Sequence, residues 1–233
     1  TNGIGYNVDK VRAALGEQAP VDSWDLLFKE ENLARLSQCG VALLDSPSEI
    51  LPIVLQYLGL PPNSNNPDDY QKAEALLLKL RPHIAYFNSS KFITDLSNGD
   101  ICVAVGWAGG MLDAKANAVQ AGNGVRIEYS LPKEGAPLWF DTLVLLKQAP
   151  HPAQGLAFID YLMRPEVIAP ITDYLRYPNG NRSATPLVSA ETRNNPAVYP
   201  SAETMARLFT LEPLPKKTER IRTRVWSKVK SGQ

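Results

Sequence analysis

Short apolar runs alternate with longer amphipathic runs along most of the chain. The segments GVALLD (40–45), DICVAVGW (100–107) and VRIEYSLP (125–132) have the length and composition of strands. Segments with apolar residues at helical spacing lie before and after them. This alternation favours an α/β fold in which helices cover both faces of the sheet.

The helical segments carry recognisable start and stop signals. Ser46 has the position of an N-cap, Pro47 that of the first helical residue, and Glu49 follows the cap by three residues. Helices are predicted over 22–39, 46–60, 70–84, 89–99, 111–124 and 152–175, the last as one or two helices broken around Pro165. The basic segment 216–230 is predicted to be a solvated helical or terminal segment.

The bulk composition bounds the class of protein. The 233 residues suffice for one large domain or two small ones, and 24 Lys and Arg balance 24 Asp and Glu. The chain has no excess of basic residues, so its charge does not indicate nucleic acid or a membrane surface as a partner. No apolar run approaches the roughly 18 residues of a membrane span. The first residues read like the interior of a protein, so we expect a processed chain or a fragment.

No catalytic apparatus is recognisable. The chain has no GxSxG, P-loop, Rossmann glycine fingerprint or zinc motif, so we expect no enzyme activity, no cofactor and no metal. His83 and His151 are read as surface residues beside prolines. For Cys39 and Cys102, the spacing leaves a disulfide and a pair of buried thiols equally open.

The stretch APLWFDTLV (136–144) places a carboxylate inside an apolar run. Trp139 and Phe140 favour burial, whereas burying an unpaired Asp141 is costly. We therefore expect a group of opposite charge against Asp141. The segment 138–147 around it is predicted to be a strand.

Aromatic and acidic residues recur where predicted strands end or begin. Ligands of open α/β sheets bind beyond the carboxyl ends of strands, where Trp107 and Glu49 lie. Aromatic walls of Trp107, Trp139 and Tyr177 with the carboxylates Glu49 and Asp141 would bind an organic cation. In the alternative interpretation the aromatics are core, Glu49 closes a capping box on Ser46, and Asp141 pairs with an arginine. The glycines of GWAGG (106–110) are expected to turn the backbone sharply.

An ordered set of motifs resembles the periplasmic spermidine/putrescine-binding proteins of bacterial polyamine ABC transporters, most closely the putrescine-binding members. The resemblance runs from near residue 3 to the C-terminus. It implies a type II periplasmic binding protein fold, in which two α/β lobes close on a ligand in a cleft. The motifs are GIGYN, APVDSWDLL, LLLKLRP, NGDICVAVGWAG, LPKEGA, WFD, SATPLVSAE and RTRVWSKVKSG.

The resemblance also implies a division of the chain. Residues 1–119 plus 187–233 would form the C-terminal-type lobe, and residues 120–186 the C-terminal part of the other lobe, whose N-terminal part would be missing. A protein of this family is expected to be a periplasmic monomer when full-length, to bind a polyamine and to deliver it to a membrane permease. It would not bind nucleic acid. The alternatives are an incomplete fragment without ligand binding of its own, or a solute-binding protein for a different cationic amine.

The ligand-binding positions of the family can be assigned to this chain one residue at a time. The resemblance implies that Glu49 and Asp141 bind amine groups, and that Trp107, Trp139 and Tyr177 form aromatic walls of the cleft. The structural disulfide of the family falls on Cys39 and Cys102, which an oxidising periplasm would permit. One position departs from the family, since close relatives carry an aspartate where this chain has Gly110, and Asp113 lies about one helical turn further on. This departure leaves open which amine is bound.

Overall fold

The computed structural model describes all residues from 1 to 233, and the chain forms two compact units. Unit 1 comprises residues 1–138 and 202–233, and unit 2 comprises residues 139–201. The predicted division into lobes at 119/120 and 186/187 stays a prediction about the longer family fold. The helices are α1 (Val8–Leu15), α2 (Asp25–Phe28), α3 (Glu30–Leu36), α4 (Pro47–Tyr57), α5 (Pro67–Leu80), α6 (Lys91–Asn98), α7 (Ala108–Ala121), α8 (Pro152–Leu162), α9 (Pro165–Leu175), α10 (Ala190–Arg193), α11 (Ala202–Met205) and α12 (Lys216–Ser231).

A five-stranded mixed sheet organises unit 1. Its strands are β1 (Asn2–Asn7), β2 (Val41–Leu43), β3 (Tyr86–Phe87), β4 (Val103–Trp107) and β5 (Ile127–Ser130), in the order β3-β2-β4-β1-β5. β2 is parallel to β3 and β4, whereas β1 is antiparallel to β4 and β5. The three strands predicted in this region and the α/β class are confirmed. β1 and β3 were not predicted.

The first predicted helix is two helices. Lys29 separates α2 from α3 with an extended backbone, at φ −83° and ψ 118°. The break allows Leu27 and Phe28 on one side and Leu33 and Leu36 on the other to be buried in the same core. Tertiary packing thus overrides the helical pattern, which ran through this position without interruption.

The strand predicted over 138–147 is wrong. Only β6 (Pro137–Leu138) is extended and paired, in parallel with β7 (Phe209–Thr210), and residues 139–146 have no regular structure. A strand requires a neighbour to satisfy its backbone groups, and no other strand of the chain pairs with this run. Its apolar side chains are consequently exposed, among them Phe140 at 73% and Val144 at 74%.

A disulfide joins Cys39 to Cys102, with the two Cα atoms 5.4 Å apart. The first precedes β2 and the second precedes β4, so the bond crosslinks two adjacent parallel strands where they begin. The pairing implied by the resemblance is confirmed. A crosslink spanning 63 residues stabilises the fold by roughly 4 kcal/mol if its effect is purely on the entropy of the unfolded chain.

The C-terminal segment forms the helix α12, one of the two predicted forms, but it is not solvated all round, because it packs on α5 and α4. Its buried face presents Val225, Trp226 and Val229. The indole Nε1 of Trp226 donates to Asp45 Oδ1 at 2.7 Å, which ties the helix to the turn between β2 and α4. None of the helices combines the length and the apolar composition needed to span a bilayer.

Unit 2 is helical and has little core. α8 and α9 are separate helices, and Pro165 is the first residue of the second, which confirms the predicted break. A six-residue 3-10 helix (Arg182–Leu187) and α10 follow. The buried cluster of this unit consists of Ala169, Ala184 and Val188.

Candidate functional site

Three elements of unit 1 meet at one edge of the sheet. β2 and β4 are parallel neighbours, with Val41 opposite Val103, so their carboxyl ends lie at the same edge. β4 ends at Trp107, and β2 leads through a short turn into α4. β1 begins at this edge, because Asn2 pairs with Trp107 in the antiparallel register.

Glu49, in the first turn of α4, is the centre of a hydrogen-bonded group at this edge. Its Oε1 atom accepts from Nε1 of Trp107 at 2.8 Å and from Nδ2 of Asn2 at 3.0 Å. Ser46 caps α4 without a side-chain hydrogen bond, and its hydroxyl instead lies 3.1 Å from that of Ser48. The capping-box alternative is therefore not realised, and the half-buried carboxylate of Glu49 faces the end of β4.

Trp107 is held on two sides. Its indole N–H is bound to Glu49, and the edge of its ring meets Phe92, with the ring centroids 6.4 Å apart and the planes at 66°. The side chain remains partly exposed. Because both contacts fix the ring before any ligand binds, unit 1 presents a preorganised aromatic surface beside a carboxylate.

Gly106 and Gly110 of the GWAGG segment allow close packing where β4 passes directly into α7. Neither of them has a positive φ. A Cβ atom at Gly106 would lie 2.5 Å from Met111 Cε and 2.8 Å from Phe92 Cζ. At Gly110, in the first turn of α7, a Cβ atom would lie 3.2 Å from Phe92 Cζ, so the ring of Phe92 restricts any side chain there.

The remaining predicted residues lie in unit 2. Trp139 is half-buried, and Tyr177 is half-buried in the loop after α9. Asp141 is exposed in the irregular segment that follows β6, so the burial cost expected for its carboxylate does not arise in this structure. The binding roles of these three residues stay predictions, as does that of Asp113, which is half-buried on α7.

Asn2 was missed by the sequence analysis. Its side chain is fully buried and donates to Glu49. The only signal that could have found it is the pairing of β1 with β4, and β1 was not predicted because it has two glycines among its six residues. No group of three or more His, Cys, Asp or Glu side chains is arranged to hold a metal ion.

Comparison with known proteins decides the family. A sequence model of the bacterial extracellular solute-binding proteins matches residues 1–200. The chain belongs to this family. The matched residues include both Glu49 and Trp107.

Individual members of the solute-binding family match the whole chain. A putrescine/agmatine-binding protein of Pseudomonas aeruginosa is 65% identical over 232 residues, which are 100% of this chain and 63% of that protein. The putrescine-binding periplasmic protein PotF of Escherichia coli is 55% identical, again over 100% of this chain and 63% of its own length. The chain thus spans less than two thirds of the length of these relatives.

A solved structure shows the same fold. The spermidine/putrescine substrate-binding protein PotD of Streptococcus pneumoniae superposes on the entire chain with a TM-score of 0.79 at 27% identity, and the match covers 67% of that protein. The periplasmic binding protein fold expected from the resemblance is confirmed, and the chain corresponds to about two thirds of it.

Proposed function

We propose that these residues belong to the solute-binding component of a periplasmic ABC importer for a polyamine. The ligand is putrescine, spermidine or a related amine, and the protein delivers it to a membrane permease. It acts as a monomer without cofactor, enzymatic activity or nucleic acid. The observation that carries the proposal is the 65% identity of the whole chain to a putrescine/agmatine-binding protein.

The geometry of unit 1 supports this proposal. The carboxylate of Glu49 and the ring of Trp107 lie side by side, joined by a 2.8 Å hydrogen bond. A carboxylate attracts an ammonium group, and an aromatic face attracts both the cation and the methylene chain next to it. Asp141, Trp139 and Tyr177 are proposed to contribute the further acidic and aromatic contacts.

The alternative that this stretch binds nothing by itself is favoured by one observation. Unit 2 exposes large apolar side chains, such as Phe140 at 73% and Leu146 at 74%. Exposed apolar surface of this kind marks a site of contact with further polypeptide. The test of function is therefore made on the whole polypeptide that contains these residues.

The test is a titration of tryptophan fluorescence with putrescine, spermidine, cadaverine and agmatine. A saturable change with one amine, together with a higher melting temperature, would support the proposal, since a ligand that binds only the folded state stabilises it by about 2.7 kcal/mol at 100 times its Kd. Folded protein that responds to none of the four would contradict it.

Asp141→Asn tests the unit 2 carboxylate. We expect it to weaken amine binding by about tenfold or more, because a charge-assisted hydrogen bond contributes roughly 1.5–3 kcal/mol. Asp160→Asn is the matched control, since Asp160 is an exposed carboxylate on α8 of the same unit. Unchanged affinity in Asp141→Asn would remove Asp141 from the site.

A further inference from the structure

The amide of Asn2 is placed on Glu49 by the sheet itself. Asn2 is fully buried at the first position of β1 and pairs with Trp107 at the last position of β4. Both side chains reach the same carboxylate from adjacent strands. The backbone register therefore fixes both donors before a ligand arrives.

Both donors meet the same oxygen of the carboxylate. Oε1 of Glu49 accepts from Asn2 at 3.0 Å and from Trp107 at 2.8 Å. A carboxylate oxygen has two lone-pair sites, so this oxygen has none left for a ligand. Neither of these two bonds uses Oε2 of Glu49, which is therefore the oxygen that remains for a ligand.

The two common cationic head groups of biological amines differ in what they need from a carboxylate. An ammonium group is compact, and one of its three N–H bonds can be directed at a single oxygen. A guanidinium group is a planar fork whose strong pairing places two parallel N–H bonds on both oxygens of the carboxylate. With Oε1 occupied, Glu49 satisfies the first requirement and fails the second.

We infer that Asn2 is a specificity-determining residue that acts through Glu49. By occupying Oε1 together with Trp107, it makes Glu49 prefer an ammonium group to a guanidinium group. A ligand that carries one of each binds with its ammonium group at Glu49. The inference rests on the proposed function and names the head group that this part of the site takes.

The test compares three ligands with the same four-carbon spacer on the whole polypeptide. Putrescine carries an ammonium group at both ends, agmatine carries one ammonium and one guanidinium, and the bis-guanidine analogue of putrescine carries a guanidinium at both ends. Calorimetric titration gives the three affinities. We expect the parent protein to bind putrescine and agmatine and to bind the bis-guanidine more weakly than either.

Asn2→Leu removes the donor and approximates the branched shape of asparagine, and Asn2→Ala is the second variant in case leucine disturbs the packing. In either, the affinity ratio of putrescine to the bis-guanidine should fall by about tenfold, the equivalent of one hydrogen-bonding site regained at Oε1. Asn117→Ala is the control, because Asn117 is exposed on α7 of the same unit. This control should leave the ratio unchanged.

The ratio separates positioning from mere stability. A purely structural role for Asn2 would lower both affinities together, and a ratio within twofold of the parent value would overturn the inference. A parent protein that binds the bis-guanidine as tightly as putrescine would also overturn it, without any variant.

If the folded parent binds none of the three ligands, the proposed function fails and the inference fails with it. If the parent binds putrescine and only the ratio fails to move, the inference alone is wrong.

Discussion

At the scale of the residue, Trp107 has two roles that one substitution can separate. Its Nε1 atom donates to Glu49, and its ring provides a partly exposed aromatic surface beside Phe92. Phenylalanine retains most of the ring and removes the donor, whereas leucine removes both. The pair of variants therefore distinguishes orientation of the carboxylate from attraction of a cation by the ring.

We expect Trp107→Phe to weaken putrescine binding by about tenfold. A hydrogen bond to a charged group contributes roughly 1.5–3 kcal/mol, and the lower end applies here because water can replace the donor at half-buried Glu49. Trp107→Leu should weaken it further. Trp24→Phe is the control, since Trp24 donates to the carbonyl of Gly135 at 2.8 Å in the core and should lower only the melting temperature. Calorimetric titration is the measurement, and equal affinity of Trp107→Phe and the parent would contradict this role.

Glu49, Trp107 and Asn2 show how much of the site could be predicted from the sequence. Glu49 and Trp107 follow strands with clear apolar runs, so the rule for strand ends finds both of them. Asn2 lies on a strand whose alternate positions, Gly3 and Gly5, lack side chains because Tyr129 and Met111 fill the space above them. That space is a property of the packed sheet, and no local pattern in the sequence indicates it.

At the scale of the element, the last helix is tied to the turn that precedes α4. Asp45 accepts from Nε1 of Trp226 at 2.7 Å and from Nζ of Lys230 at 3.0 Å. The hydrogen bond from Trp226, aided by Lys230, holds the pKa of the Asp45 carboxyl below its usual value. Because α4 carries Glu49, this contact connects the C-terminal helix to the element that positions the candidate site.

The depressed pKa of Asp45 has a consequence for acid stability. The native pKa lies below the unfolded value of about 3.9, so the contribution to stability is present above roughly pH 4 and is lost as pH falls through the native pKa. Asp45→Asn should lower the free energy of unfolding by about 0.5–1 kcal/mol at pH 7, because the carboxylate is exposed and screened. The difference from the parent should shrink as the pH falls through the native pKa of Asp45.

Urea unfolding at several pH values measures this difference. Asp100→Asn is the control, since Asp100 is an exposed carboxylate of the same unit. A difference between Asp45→Asn and the parent that persists unchanged at low pH would contradict the ionic origin of the contact.

Elements also show where a sequence pattern is insufficient. The break at Pro165 was predicted because a proline determines it locally, whereas the segment 216–230 was predicted only as a solvated helical or terminal segment. The strand at 138–147 was predicted from equally clear apolar residues and is absent, because a strand depends on a partner as well as on its own residues. Propensity alone cannot supply that partner.

At the scale of the whole molecule, the two units differ in how much they bury. Unit 1 has a core of large side chains, including Trp24, Tyr70 and Phe92, and a disulfide that crosslinks its sheet. The buried hydrophobic residues of unit 2 are all small, namely Ala169, Ala184, Val188 and Val198. Burial of apolar surface is the main favourable term in folding, so unit 2 has much less to stabilise it.

Two helices make this difference measurable within one chain. α4 and α8 both have 11 residues and both begin with proline, but α4 buries six residues and α8 buries none. In α8 the large side chains Leu156, Phe158 and Tyr161 are between 50% and 58% exposed. The two helices thus have the same length and the same first residue, and they differ in how many of their side chains are buried.

In this 233-residue chain, we expect the backbone amides of α8 to exchange with deuterium at least about 100-fold faster than those of α4. The reason is that elements with few buried contacts open locally, at a free energy several kcal/mol below that of global unfolding. Hydrogen exchange followed by mass spectrometry of peptides from the two helices measures this directly. Equal protection would show that α8 is stabilised by something other than burial within its own unit. Fast exchange confined to unit 2 would show that this unit opens locally while the sheet that holds Glu49 and Trp107 stays closed.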